Sequence, residues 1–219
     1  MQEKEVFDLA AEYMNRGLSA NEIREHVASF VDAETLDAYL AIPRQNINGF
    51  IRNCLLDLAL EPPFLDLGCG RRSLKPEVLQ RYGNDTIFIG IDHYLPPRGE
   101  NNPQRLPDVL AQAENIPILS GSTGTVFCME LLEHIPDEQR VLSEISRVIR
   151  RGGNLLISLP GVDIPKHEKL PYQRDYRRFT TNQLNYLLTM YGFENINIWD
   201  MKLQNWQINI FAICQKGGE

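Results

Sequence analysis

The residues best suited to chemistry are two carboxylates set around a bare turn. FLDLGCG (64–70) is a short apolar run that carries Asp66 and closes on Gly68 and Gly70. Glycine removes side chains where the chain bends sharply and where a ligand can lie against backbone. TIFIGID (86–92) is a second apolar run, and it ends on Asp92. A carboxylate about 20 residues beyond such a turn can accept hydrogen bonds from both hydroxyls of a ribose. Two imidazoles, His134 and His167, lie in polar segments further on. An imidazole can take the proton of a hydroxyl as its oxygen attacks, but it is also an ordinary packed, hydrogen-bonded side chain.

These groups need elements to hold them. Phe64, Leu65 and Leu67 suit a buried strand, and a helix should follow the turn, with Ser73 able to cap it, Pro76 in its first turn and Leu74, Val78 and Leu79 on one face. Val109 and Leu110 suggest a short third strand, GTVFCMELLEHIPD (124–137) a fourth running into a loop, and RVIRRGGNLLISLP (147–160) a helix end, a Gly-Gly stop and a strong apolar strand. Thr180 or Thr181 can cap a helix through Leu184, Leu187, Leu188 and Tyr191 that stops at Gly192. ENINIWD (194–200) and QINIFAIC (207–214) alternate like strands, and with so few residues between them they should pair antiparallel. Strands alternating with helices imply a parallel sheet covered on both faces. Residues 1–43 read as a separate helical cap. Its capping box is Ser19 with Glu22, and its faint helix-turn-helix look is opposed by nine acidic against three basic residues over 1–42. Residues 44–219 form the main domain, opening with a helix over Ile47 to Leu58 that should pack on the sheet.

In their combined order, LDLGCG, the strand ending in Asp92, AENIP (113–117), LEH (132–134) and RRGG (150–153), these motifs resemble a class I S-adenosylmethionine-dependent methyltransferase. The resemblance covers roughly 62–214. It implies an α/β Rossmann-like seven-stranded methyltransferase sheet with helices on both faces and a terminal antiparallel hairpin, its last strand inserted beside the fifth. It implies S-adenosylmethionine as cofactor. Asp66, Gly68, Cys69 and Gly70 would line its methionine end, and Asp92 would hold the ribose. Ala113 and Glu114 would border the adenine with Ile116 or Pro117 nearby, and Cys128, Met129 and Glu130 would approach the sulfonium. Asp66 could instead cap the turn, Glu114 could be a solvated loop acid, and Glu130 could sit in an ion pair elsewhere. The chain departs from the family pattern at Arg71 and Arg72 after the turn, at Gln112 before the adenine segment and at Gly124 at the opening of the fourth strand.

The loop after the fifth strand, GVDIPKHEKLPYQRDYRRFT (161–180), carries five basic and two acidic residues between Lys166 and Arg178, interleaved with Tyr172, Tyr176 and Phe179. Arginines and rings in this pattern suit an anionic or carbohydrate-like acceptor. Tyr172, Arg174, Tyr176 and Arg177 are the candidate acceptor contacts. The string His167…DYRRFT resembles an element of methyltransferases that accompany glycan or lipid-linked sugar biosynthesis. The alternative is that Arg177, Phe179 and Thr180 only anchor and cap the next helix. His167 and His134 are the candidate bases.

The expected function is methyl transfer from S-adenosylmethionine to a small-molecule or glycan-like acceptor, at oxygen. One alternative is a non-catalytic cofactor-fold subunit that binds or scaffolds. Another is a nicotinamide-dependent oxidoreductase, disfavoured by Ser73 where a third glycine would stand and by the terminal hairpin. A net charge of −7 argues against non-specific nucleic-acid binding. The four cysteines lack metal-ligand spacing and read as buried thiols, with no metal expected. With 219 residues, 43% hydrophobic, no apolar run near the ~20 residues of a bilayer span and no secretion-signal core, a cytoplasmic globular protein is expected.

Overall fold

The computed structural model describes residues 49–51, 53–55, 57–70, 74–94, 106–164, 166, 174–203 and 206–218. The proposed cap at 1–43, Ser73, Arg71, Arg72, His167 and Tyr172 lie outside them.

Seven strands form one sheet in the order β3-β2-β1-β4-β5-β7-β6. They are β1 (Phe64–Leu67), β2 (Phe88–Asp92), β3 (Val109–Leu110), β4 (Thr123–Met129), β5 (Ile149–Pro160), β6 (Phe193–Leu203) and β7 (Trp206–Lys216). The first five pair in parallel, and β7 then pairs antiparallel with both β5 and β6. The terminal hairpin is thus inserted as expected. The three main helices are α1 (Lys75–Tyr82), α2 (Glu138–Val148) and α3 (Thr181–Met190).

Side chains alternate across the sheet, so each strand feeds two cores. Leu65, Leu67, Val126, Cys128, Leu155, Ile157 and Ile210 face α2 and α3, where Val141, Leu142, Ile145, Leu184 and Leu188 are buried against them. Phe64, Phe88, Phe127, Leu156 and Ile213 face the other way, onto Val78 and onto Ile51, Cys54 and Leu55 of the helical residues between 49 and 57. These helical residues pack on the sheet.

Two local readings need correction. The Gly-Gly pair does not separate a helix from a strand. β5 begins at Ile149, directly after α2, and the glycines form an irregularity inside it: Thr123 pairs with Ile149, but Thr125 already pairs with Asn154. Gly152 takes φ 74°, and a Cβ on Gly153 would lie 2.7 Å from the Gly124 carbonyl. Gly124 is itself required by crowding, because a Cβ there would meet the Glu61 carbonyl oxygen at 2.3 Å. The chain entering β1 crosses over this point, and Pro63 accepts the Gly124 amide at 2.9 Å. The absent acid at 124 therefore has a packing reason.

The helix after α2 and β5 behaves as its cap predicts. Thr180 accepts from the Gln183 amide, and Gln183 returns a bond to the Thr180 amide.

Candidate functional site

The carboxyl ends of β1, β2 and β4 converge on the glycine turn. Gly68 and Gly70 take φ 74° and 54°, the left-handed region in which glycine is unstrained. The Gly68 and Cys69 amides both donate to the Ile91 carbonyl, tying the turn to β2. A Cβ on Gly68 would press on Leu131 at 2.9 Å, so the segment after β4 lies directly against the turn. At Gly70 the nearest atom to a built Cβ is the Gly68 oxygen at 4.0 Å. Among the described residues, no other atom lies as close to that position.

Asp92 ends β2 and faces this turn. Its Oδ2 accepts the Gly70 amide at 2.8 Å and its Oδ1 accepts the Tyr94 amide at 2.9 Å. His93 Nδ1 lies 3.4 Å from the same Oδ1. A carboxylate offers about four acceptor positions, so both oxygens keep capacity for further donors. Asp66 is buried, and its Oδ2 accepts the Leu74 amide at 2.9 Å just ahead of α1. The side chain at the N-cap position, Leu74, makes no cap bond, and the capping acceptor comes from β1 instead. Both readings of Asp66 remain compatible here, since it braces the turn from below.

The remaining cofactor candidates fall into three places. Cys69 is buried against Gly90, and Cys128 is fully buried in the core below α2. Cys128 pairs in register with Leu67 at the end of β1 and shares its core with Leu131, the residue that packs on Gly68. Ala113 is buried and Glu114 half-buried in the segment between β3 and β4. Met129 is half-buried on the opposite sheet face to Cys128.

Glu130 follows β4 with φ 49°, an uncommon conformation for a residue with a side chain. Its Oε1 is buried without a hydrogen-bond partner. Burial pushes this carboxyl up to about 7; Ser158, His134 and Arg178 pull it down, and Asp175 adds to the rise. Glu133 is held well above the ordinary carboxylate range, first by burial and then by the Glu130 charge. All four cysteine thiols are buried, and burial raises each thiol, Cys54 to about 11. They are unreactive packing groups. Among the described residues no group of His, Cys, Asp and Glu is arranged to hold a metal ion.

Residues 174–178 lie against the segment after β4. The Tyr176 amide donates to the Glu133 carbonyl at 2.7 Å, and Lys166 Nζ donates to the Tyr176 carbonyl. Arg174 and Tyr176 are exposed, with the guanidinium 5.3 Å from the ring centroid. Arg177, expected to contact an acceptor, instead donates to the Pro136 carbonyl and pairs with Glu138. Arg178 pairs with buried Asp175 at 2.7 Å. These two cations are committed to their own chain, so the loop presents less free positive charge than its composition suggests.

Several positioning residues give weak signals in sequence. Arg147 donates to the Ile116 and Ile118 carbonyls at 2.8 Å and pairs with Glu144, which accepts the Ile116 amide. Arg140 holds the Glu114 carbonyl. Asp108 accepts the Gly90 amide and pairs with Lys75. Asp175 stands inside a quoted motif, but only its spatial neighbours reveal what it does.

Residues 65–157 match the methyltransferase domain family. Among curated proteins, a ubiquinone biosynthesis O-methyltransferase of Coxiella burnetii is 33% identical over 98 residues, 43% of this chain and 42% of that protein. A trans-aconitate 2-methyltransferase of Deinococcus radiodurans is 29% identical over 96 residues, 44% of this chain and 37% of that protein. The chain thus spans about two-fifths of the length of these relatives. Among solved structures, phosphoethanolamine N-methyltransferase 2 of Haemonchus contortus in complex with S-adenosyl-L-methionine superposes with a TM-score of 0.61 at 17% identity, covering 79% of this chain and 53% of that one. The strand order and the inserted hairpin are those of the solved methyltransferase structures, so the chain shares their fold, and residues 65–157 are similar to the methyltransferase domain family.

Proposed function

We propose that this chain is an enzyme that transfers a methyl group from S-adenosylmethionine to a hydroxyl of a small-molecule or glycan-like acceptor. One observation supports the reading: Asp92 Oδ2 accepts the Gly70 amide at 2.8 Å, so the carboxylate that ends β2 and the bare turn after β1 lie side by side at the carboxyl edge of the sheet. The residues present fit the cofactor. Asp92 keeps acceptor capacity for ribose hydroxyls, and among the described residues nothing closer than the Gly68 oxygen at 4.0 Å stands where a Gly70 side chain would.

When bound, the sulfonium of this cofactor makes its methyl group electrophilic. The protein's part is then placement and exclusion of water rather than nucleophilic attack. Asp92, Gly68, Gly70, the Cys69 backbone and the turn braced by Asp66 would hold the nucleoside and methionine portions. Ala113 and Glu114 would border the base, on a segment clamped by Arg140 and Arg147. Glu130 and Met129 would face the reacting end.

The acceptor side rests on Arg174 and Tyr176, exposed beside His134, together with Tyr172 and His167. Arg177 drops out of this set because its guanidinium is engaged by Pro136 and Glu138. Methyl transfer at oxygen is supported by the name of the Coxiella burnetii relative, and an acceptor of modest size by both relatives' names.

Calorimetric titration with S-adenosylhomocysteine, followed by methyl transfer to a panel of hydroxylated small molecules and sugars read by mass spectrometry, tests this. Saturable binding and a mass gain of one methyl group are expected. Absence of binding would return the chain to the non-catalytic alternative.

A further inference from the structure

Two segments far apart in sequence, Leu132–His134 after β4 and Asp175–Phe179 before α3, meet around one imidazole. His134 Nδ1 makes its hydrogen-bond contact with the Arg174 carbonyl oxygen at 3.3 Å, and Asp175 Oδ1 lies beside the same nitrogen at ion-pair distance, 2.8 Å. Both neighbours can only accept. In the neutral ring the hydrogen must therefore sit on Nδ1, and the lone pair on Nε2.

Asp175 is fixed in turn. Its side chain is buried, and its second oxygen, Oδ2, receives Arg178 Nη2 at 2.7 Å. Arg178 is itself anchored by the Ile164 and Arg177 carbonyls. A guanidinium only donates, so it fixes the orientation of the Asp175 carboxylate. On the other edge of the ring, Nε2 faces Glu133 Oε1 at 3.7 Å, with Glu130 the next carboxyl. Burial favours the neutral form of Glu133, which leaves Nε2 free of a full counter-charge. The His134 side chain is 24% exposed, so the ring is reachable. It lies three residues beyond Leu131, the residue that packs on the Gly68 turn.

We propose that Asp175 is a positioning residue: it fixes His134 as the Nδ1–H tautomer, so that Nε2 takes up the proton released when an acceptor hydroxyl is methylated. This rests on the O-methyltransferase reading above. In that step the acceptor oxygen–carbon bond forms and the donor carbon–sulfur bond breaks, its electron pair remaining on sulfur. The hydroxyl proton moves to Nε2. Positive charge lost from the sulfonium reappears on the imidazolium, next to the Asp175 carboxylate. The arrangement follows the logic by which a buried aspartate sets the histidine tautomer in hydrolytic triads.

The chemistry of Asp175→Asn makes a sharp test. Arg178 offers only donors and so retains the amide oxygen. The amide nitrogen must then turn toward His134, and a donor facing Nδ1 favours a bare Nδ1 with the hydrogen on Nε2. Histidine-labelled protein would be studied by long-range proton–nitrogen correlation NMR, with the His134 signals assigned by their loss in His134→Gln. S-adenosylhomocysteine binding would be followed in parallel by calorimetry. The wild type is expected to show a protonated Nδ1 and an unprotonated Nε2, and Asp175→Asn to reverse them, with S-adenosylhomocysteine affinity changed less than about twofold. A wild-type ring carrying its hydrogen on Nε2 overturns the proposal without recourse to any variant. So does an Asp175→Asn protein that binds S-adenosylhomocysteine and keeps the wild-type tautomer. If the wild-type protein binds no S-adenosylhomocysteine, the methyltransferase reading fails instead, whatever the tautomer.

Discussion

Asp92 and Gly70 are joined by a 2.8 Å hydrogen bond from the Gly70 amide to Asp92 Oδ2. The bond ties the end of β2 to the turn after β1. Asp92→Ala removes the ribose acceptor and leaves the Gly70 amide without its partner. Affinity for S-adenosylhomocysteine should fall by roughly 1–3 kcal/mol, the range for losing charge-assisted bonds. Calorimetry checks this, and unaltered affinity would take Asp92 out of the site.

The buried carboxyl of Glu130 makes stability depend on pH. Its folded-state value is raised to about 7 from the ordinary 4.5, chiefly by burial. Between these values the folded protein binds a proton that the unfolded chain has released. The contribution of this group to stability is therefore greatest below the lower value and is lost as pH rises toward the upper one. Glu130→Gln should flatten the loss and raise the melting temperature at pH 8 relative to wild type, with little change at pH 5. Calorimetric scans at the two pH values decide it. Parallel pH dependence in both proteins would show that Glu130 titrates normally.

Gly124 cannot carry a side chain. A Cβ would lie 2.3 Å from the Glu61 oxygen and 2.6 Å from that of Pro62, both backbone atoms. Gly124→Ala should cost roughly 3 kcal/mol or more, at the upper end of overpacking effects. Gly121→Ala is the control. Its φ of 63° strains an alanine by about 1–2 kcal/mol, but nothing lies within 4 Å. Urea unfolding of the pair should rank them in that order, and equal costs would show that the backbone at 61–62 gives way.

Arg147 supports the segment that leads into β4. Removing its guanidinium takes the Arg147 donor from the Ile118 carbonyl, leaves the Ile116 carbonyl only the Ile118 amide, and leaves Glu144 without its ion-pair partner. Arg147→Met, which keeps much of the stem, should cost roughly 1.5–3 kcal/mol. It should also speed amide hydrogen exchange across 113–120 more than in the sheet. Uniform acceleration would mean that the residue supports the fold as a whole rather than this segment.

Much of the architecture was legible because it is written in local patterns. Short apolar runs placed β1 and β2, alternation placed β6 and β7, and a threonine at 180 or 181 announced the helix that follows. The hairpin topology followed from the short spacing between 200 and 207. The Gly-Gly pair misled because a glycine that stops a helix and a glycine that admits a neighbouring carbonyl look alike in one dimension. Only the Gly124–Gly153 approach tells them apart. In the same way Arg177 and Arg178 read as free charge, although Pro136, Glu138 and Asp175 engage them from other elements.

The site divides along the same line. The types of its residues, the glycine turn, the acid at 92 and the LEH element were determined by the sequence alone, since each lies in a short segment whose composition states its chemistry. Which of them act together was decided only by the tertiary structure. Asp92 reaches Gly70 across two strands, and Asp175 reaches His134 from a loop some 40 residues on. Hydrogen bonds and desolvation act over a few ångströms in space and carry no trace of separation along the chain. That is why a buried partner such as Asp175 could be read as a letter in a motif but not as the neighbour of an imidazole.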